Sequence, residues 1–304
     1  MFEIFINGTG GTTPVPNRFL CSCALRYNGK VLLLDCGEGT QLAYLKSNWG
    51  FNDIDAIFLS HSHTDHTAGL SGILLQMKNA GRTKAISIFA PQYLENIVKA
   101  SITICDCNLH FDINFIAIDN LEPISWNDLT LSFIKLNHYP TSYGIKITSN
   151  RKRLFNPQKA KELEIPQYLW RELHNNKSVI VNGKTYLPDM VLDRPKTNLS
   201  FCYIPDTKFT HLFAVKSFIK NSDLTICECM YPTRDELKNQ EDKYHVALPW
   251  IFTSSLDSCT KQLGLIHFSP AYRNIKKSFF YDKTKHPNVF LCEDGQLITL
   301  NYVD

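Results

Sequence analysis

The sequence has 304 residues, enough for one large domain or two small ones around a buried core. With 44% apolar and 20% charged residues it is globular rather than disordered, and no apolar run approaches the roughly 20 residues of a membrane span. A net charge of +3, from 32 basic and 29 acidic residues, excludes a uniformly basic nucleic-acid protein, so any polyanion site is local.

In chain order, residues 2–6 (FEIFI), 19–27 (FLCSCALRY) and 30–36 (KVLLLDC) read as strands, the last two joined by an Asn28-Gly29 hairpin turn. A helix is expected from Glu38 to Lys46. Residues 54–60 (IDAIFLS) form a continuous apolar strand of the kind buried on both faces. A helix follows over about 66–79, a strand over 85–90, and Pro91 opens another helix. Strands dominate 113–148. The core pattern resumes with a strand at 199–206, a helix near 209–220, a strand at 223–229, a helix from about 246 and a strand at 263–268. Between them, 150–198 is polar, broken by Pro157, Pro166, Pro188 and Pro195, and reads as an insertion or arm within a single α/β domain, 1–304. MFEIFINGTGG has neither a basic stretch nor a long apolar segment, so no secretory leader is expected and a cytoplasmic location is. The ten cysteines include three C-x-C pairs but no paired C-x-x-C, and are expected to be reduced thiols serving as small core residues.

The chemistry concentrates in LSHSHTDHTAGL, residues 59–70, where His61, His63, Asp65 and His66 follow a buried strand. Four metal-capable groups in six residues are too many for an ordinary core, and neutral imidazole with carboxylate suits zinc and its neighbours. Three later candidates each stand at the end of an expected strand: His138, Asp206 and His267. Together they make seven ligands, enough for two divalent ions and a bridging carboxylate at one sheet edge.

This pattern resembles the metallo-β-lactamase superfamily, and within it the chain is similar to the ribonucleases Z, tRNA 3′-end endonucleases. The closer resemblance rests on LLLDCGEGTQ (32–41), GLSGILLQM (69–77), TSYGIKI (141–147), Glu228 22 residues after Asp206, and His245 22 residues before His267. It runs from GTGG near the start to HFSPAY (267–272). It implies a four-layered αββα metallo-β-lactamase sandwich. His61, His63 and His138 would hold one metal, Asp65, His66 and His267 the other, with Asp206 bridging. Two such ions, Zn2+ with Mn2+ or Fe2+ as alternatives, would activate a water and stabilise an in-line phosphodiester displacement. Asp65 would accept the nucleophile's proton, and His245, oriented by Glu228, would protonate the leaving 3′ oxygen. The implied substrate is precursor tRNA, losing its 3′ trailer. The implied assembly is a homodimer, with segment 150–198 as the tRNA-binding arm.

Four departures from the family stand out. Gln167-Tyr168 stands in the arm where Gly-Pro is expected. Pro205 precedes Asp206 in place of glycine. His245-Val246-Ala247 replaces His-Ser-Thr, removing two hydroxyls expected near the scissile phosphate. Ala271 stands where an arginine is favoured, with Arg273 shifted nearby. Lys146 to Lys161 and Arg273 to Lys285 are candidate basic surfaces, and Tyr168 and Trp170 either stack on bases or form the arm's own core. These departures motivate a second reading, a hydrolase of the same fold acting on a small phosphodiester, sulfate ester or lactone; a third, a non-enzymatic binding protein that retains the fold, is opposed by the complete ligand set, Glu228 and His245.

Overall fold

Alternating and continuous apolar runs build two seven-stranded sheets, and the computed structural model describes all residues except 106–108, 195, 236–244 and 304. The strands are β1 (Phe2–Gly8), β2 (Ser22–Tyr27), β3 (Lys30–Leu34), β4 (Ile54–Phe58), β5 (Ile86–Ala90), β6 (Ile113–Ala117), β7 (Ile124–Trp126), β8 (Leu129–Lys135), β9 (Tyr143–Ser149), β10 (Val179–Val181), β11 (Lys184–Tyr186), β12 (Ser200–Ile204), β13 (Leu224–Glu228), β14 (Leu263–Ile266), β15 (Val289–Leu291) and β16 (Leu297–Leu300). The first sheet has the order β16-β1-β2-β3-β4-β5-β6, the second β15-β14-β13-β12-β9-β8-β7. Each sheet has a parallel run, β3-β4-β5-β6 in one and β12-β13-β14-β15 in the other, and these runs, with β8, carry the site. The strand at 54–58 is fully buried, as its unbroken apolar run requires.

The chain divides into two compact units, Met1–Thr148 with Leu199–Asn301, and Ser149–Asn198 with Tyr302–Asp304. In the first, the inner faces of the sheets meet through ring pairs: Phe58 of β4 with Phe133 of β8, and Phe89 of β5 with Trp126 of β7. Outside the first sheet pack the helices α1 (Thr40–Tyr44), α3 (Leu70–Asn79) and α4 (Glu95–Ile104), burying Tyr44, Leu70, Ile73, Leu74, Met77 and Val98, while the single turn α2 (Thr64–Thr67) stands at the strand ends. Outside the second, Leu212, Val215 and Ile219 of the helix at Leu212–Ile219 join Leu248 and Ile251 in another apolar cluster. The architecture is the expected αββα sandwich.

Element bounds shift where local chemistry intervenes. The helix expected over 66–79 is two, α2 and α3, parted at Gly69. Gly69 donates its N–H to the Cys36 carbonyl at 2.7 Å, and a Cβ there would stand 2.2 Å from the Gly37 oxygen. The helix expected over 38–46 ends as a 3-10 turn at Leu45–Ser47, and the one over 209–220 begins as one at Phe209–His211. The strand expected from Phe19 starts at Ser22, because Phe19 donates its N–H to Asp294 and accepts from the Gly10 N–H instead of joining the ladder. All described cysteines are unpaired thiols and all but Cys259 are buried; Cys107 lies outside the described residues.

The second unit has a core of its own. Ala160, Ile165, Leu173, Val179, Tyr186 and Val191 form it, around the hairpin β10-β11 and the short helices α5 (Pro157–Glu162) and α6 (Trp170–His174). Trp170 belongs to this core: it packs against Phe155 and donates its indole N–H to the Ile165 carbonyl at 2.9 Å. Tyr168 does not; it is 78% exposed.

Candidate metal centre

Every candidate ligand arrives on the loop following a strand. β4 delivers His61 and His63; α2, opening at once, presents Asp65 and His66 on its single turn. β8 leads to His138, β12 to Asp206, β14 to His267. Buried strands hold these ends in place, so residues 206 positions apart in sequence meet within a few ångströms. His61, His66, Asp65, His138, Asp206 and His267 are buried and His63 is half-buried.

The donors form two sets that share Asp206. Its Oδ2 lies 3.6 Å from His61 Nε2 and 3.6 Å from His138 Nε2. His63 Nδ1 is 3.1 Å from His61 Nε2 and 3.2 Å from His138 Nε2. The other oxygen, Oδ1, lies 3.2 Å from His66 Nε2 and 3.1 Å from His267 Nε2. Asp65 Oδ2 completes this second set, 3.2 Å from His267 Nε2 and 3.8 Å from His66 Nε2. Each set could hold a metal ion.

The donor chemistry fits a divalent cation. His66 Nε2 and Asp206 Oδ1 face one another at 3.2 Å, yet both are buried without a hydrogen-bond partner. A buried polar atom left so costs about 1–3 kcal/mol. A cation between lone pairs removes that cost, whereas a hydrogen bond would need one of them to carry a proton. Burial, with His66 next, pushes His61 well below the ordinary imidazole value and so favours the neutral ligand form. Burial raises the Asp206 carboxyl, but His267 and His66 outweigh it and hold the group well below the carboxylate range.

Asp35, at the end of β3, sets the orientation of His66. Its Oδ2 accepts from His66 Nδ1 at 2.7 Å, from the Ser60 hydroxyl at 2.8 Å and from the Tyr203 hydroxyl at 2.9 Å; its Oδ1 accepts from the Ser60 N–H at 2.8 Å. With the Nδ1 proton committed there, Nε2 is the ring nitrogen left to face Asp206; burial lowers the imidazole but Asp206 and then Asp35 outweigh it and raise it well above its ordinary value, so an ion bound at Nε2 would displace a proton. Sequence reasoning gave Asp35 no role. The signal was present: an aspartate directly after the apolar strand 30–34, in LLLDCGEGT, is costly unless it is fully bonded.

Glu228 and His245 form the third feature. His245 Nδ1 donates to Glu228 Oε2 at 3.2 Å and lies 3.9 Å from Asp206 Oδ2. Glu228 also accepts from the Thr207 N–H at 2.6 Å and the Val246 N–H at 3.3 Å, so one buried carboxylate holds both loops. Burial lowers the His245 imidazole, but Glu228 and then Asp206 more than reverse this, pushing it up to about 9. The Val246 and Ala247 side chains, expected near the scissile phosphate, are fully buried in apolar clusters, so the missing hydroxyls match the burial.

Two sheets flanked by helices, with a His/Asp cluster at the strand ends, define a metal-dependent hydrolase of metallo-β-lactamase fold. The solved short form of human tRNase Z has this fold: it aligns with a TM-score of 0.67 at 20% identity, covering 98% of this chain and 99% of its own. Ribonuclease Z of Lachnoclostridium phytofermentans is 33% identical over 303 residues, 99% of both chains. Ribonuclease Z of Lachnospira eligens is 32% identical over 307 residues, 100% of this chain and 99% of its own. The sequence family described as Anti-Pycsar protein Apyc1 matches residues 2–181. The chain belongs to the ribonuclease Z family, a family of metal-dependent endoribonucleases, and its residues 2–181 also to that of Apyc1.

Proposed function

We propose that the chain is an endonuclease that removes 3′ trailers from precursor tRNA, with zinc as its resident metal and a cytoplasmic homodimer as its working form. In this reading His61, His63 and His138 hold one divalent ion, Asp65, His66 and His267 the second, and Asp206 bridges. The observation that carries it is the division of Asp206, one oxygen toward each donor set, with the Glu228–His245 pair beside it. When bound, the ions supply Lewis acidity to the water and the phosphodiester oxygens. Asp65 takes the proton of the attacking water. The new P–O bond forms as the bond from phosphorus to the 3′ oxygen breaks. His245, its Nδ1 held by Glu228, gives the proton on Nε2 to that leaving oxygen, and the Glu228 carboxylate favours the protonated ring. The products are a 3′ hydroxyl and a 5′-phosphorylated trailer. Among the described residues no helix is long and apolar enough to cross a membrane.

Charge supports an anionic polymer as substrate. Residues 149–198 hold ten Lys and Arg against five Asp and Glu, while the remaining residues are net acidic. Within that unit Arg151, Lys152, Arg153 and Lys196 line a cavity of about 520 Å³. A second reading, a small phosphodiester as substrate, is favoured by the exposed Tyr168 and Gln167 where the arm's Gly-Pro is expected. The deciding experiment is cleavage of a 3′-extended precursor tRNA by zinc-loaded protein, beside bis-p-nitrophenyl phosphate and an Asp65→Ala control. Cleavage at the discriminator nucleotide, lost in the control, is expected. Turnover of the small ester alone refutes the tRNA reading and favours the second.

A further inference from the structure

One carboxylate outside the centre gathers the loop that covers it. Asp294 stands in the turn between β15 and β16. The Cys292 N–H donates to Leu265 of β14 at 2.9 Å and the Gly295 N–H to Ile6 of β1 at 2.8 Å, so both sheets fix this turn. From it, Oδ1 accepts from the Thr9 N–H at 2.9 Å and the Thr9 hydroxyl at 2.7 Å, and Oδ2 accepts from the Phe19 N–H at 2.5 Å. Both ends of the loop 9–19 therefore rest on a single side chain. Gly10 N–H donating to the Phe19 carbonyl at 2.9 Å completes the closure.

What the loop carries is specific. Gly11 lies against the ring of His267: a Cβ there would be 2.5 to 2.8 Å from three of its ring atoms. The neighbouring Thr12 N–H donates at 2.5 Å to Asp65 Oδ2, the oxygen that also lies 3.2 Å from His267 Nε2. Thr12 does so with a φ of 64°, and His267 with 63°. A β-branched residue in the left-handed region is strained by about 1–3 kcal/mol and persists only where its surroundings over-determine it. Arg18, near the loop's other end, donates to the Tyr272 carbonyl at 2.6 Å and so binds the loop to the chain that follows His267.

We infer that Asp294 is a positioning residue of the metal centre: by closing the 9–19 loop it sets Gly11 and Thr12, and through them the placement of His267 and Asp65. It touches neither ligand, and the inference rests on the reading that Asp65, His66 and His267 hold one of two ions. Zinc titrations against a chromophoric chelator, with thermal melts, test it on the parent chain and on Asp294→Ala, Asp294→Asn and Thr9→Val. In Asp294→Ala, one of the two zinc affinities is expected to fall about 10–100-fold, the range typical of groups that orient ligands. The other should stay within threefold. Asp294→Asn, which still offers Thr9 an acceptor, should recover part of the loss, and Thr9→Val should lose less than Asp294→Ala. If Asp294→Ala melts lower but keeps both affinities, or loses both equally, Asp294 is a structural residue only and the inference is overturned. Should Asp294→Ala not fold, Asp294→Asn and Thr9→Val decide by the same criterion. A parent chain binding fewer than two zinc ions refutes the reading of the centre itself, and the inference with it.

Discussion

Asp35→Asn separates the orientation of a ligand from the stability of the fold. The substitution is nearly isosteric but replaces one acceptor by an NH2 group. If the amide oxygen stays toward the Ser60 N–H, the NH2 group faces His66 Nδ1, 2.7 Å away in the parent. The two hydroxyls there, Ser60 and Tyr203, can rotate to accept. His66 cannot: its proton must move to Nε2, the atom 3.2 Å from Asp206 Oδ1, and the lone pair for the ion is lost. With the amide reversed, two buried N–H groups oppose each other at Ser60, at a cost of about 1–3 kcal/mol. We therefore expect Asp35→Asn to lose about 10–100-fold in affinity for one zinc ion, with a destabilisation of about 1–3 kcal/mol. Chelator competition reads the first and urea unfolding the second. Histidine 15N spectra show directly which ring nitrogen of His66 carries the proton. Both zinc ions bound with parental affinity, and the proton still on Nδ1, would refute the reasoning.

Three further outcomes are expected. Glu228→Gln removes the carboxylate that orients and charges His245, so under the tRNA reading kcat on the precursor, whose 3′ alkoxide needs a proton to leave, should fall by about 10²-fold, while bis-p-nitrophenyl phosphate, whose p-nitrophenolate leaves without one, should lose far less; an equal loss on both substrates would speak against a proton-transfer role. Gly69→Ala places a Cβ 2.2 Å from the Gly37 carbonyl oxygen and should cost about 3 kcal/mol or more in urea unfolding. Under the tRNA reading, Lys152→Ala with Lys196→Ala, both lining the basic cavity of the second unit, should weaken precursor binding and flatten its dependence on log salt by about one to two; an unchanged slope would place the phosphate contacts elsewhere.

The fold was legible because its strongest signals are buried strands. An unbroken apolar run such as 54–58 leaves no polar face, so only a central strand with cover on both sides accommodates it. The candidate donors were legible because they cluster at strand ends in a spacing too polar to be ordinary core, and the structure brings them together. What the sequence left unread acts through the backbone or over long separations. The break at Gly69 depends on a carbonyl 32 residues earlier. Asp35 reaches His66 only because β3 and β4 are parallel neighbours whose ends coincide. Asp294 meets Thr9 across 285 residues, and no periodicity in either segment encodes that contact. The core of 149–198 was legible only as an alternative for Tyr168 and Trp170, because its apolar residues are spaced by prolines and short turns that obscure both helical and strand periods.

The departures from the family sort by where their side chains lie. Pro205 follows the last ladder pair of β12, Ile204 with Cys227, so the missing N–H removes no ladder bond, and its φ is not in the left-handed region that would demand glycine. Asp206 accordingly keeps both oxygens at 3.1 to 3.6 Å from four imidazoles. Val246 and Ala247 point into apolar clusters, and Glu228 grips the backbone between them and His245. These changes alter what surrounds the centre without moving what forms it. Tyr168 differs in kind: it is exposed, on a unit that carries the chain's excess of positive charge. Its ring is available to a bound substrate. Substitution at Gln167 and Tyr168 should therefore change which phosphodiester the enzyme selects while leaving turnover of bis-p-nitrophenyl phosphate within twofold, and a matching loss on both substrates would show that the tip supports folding instead.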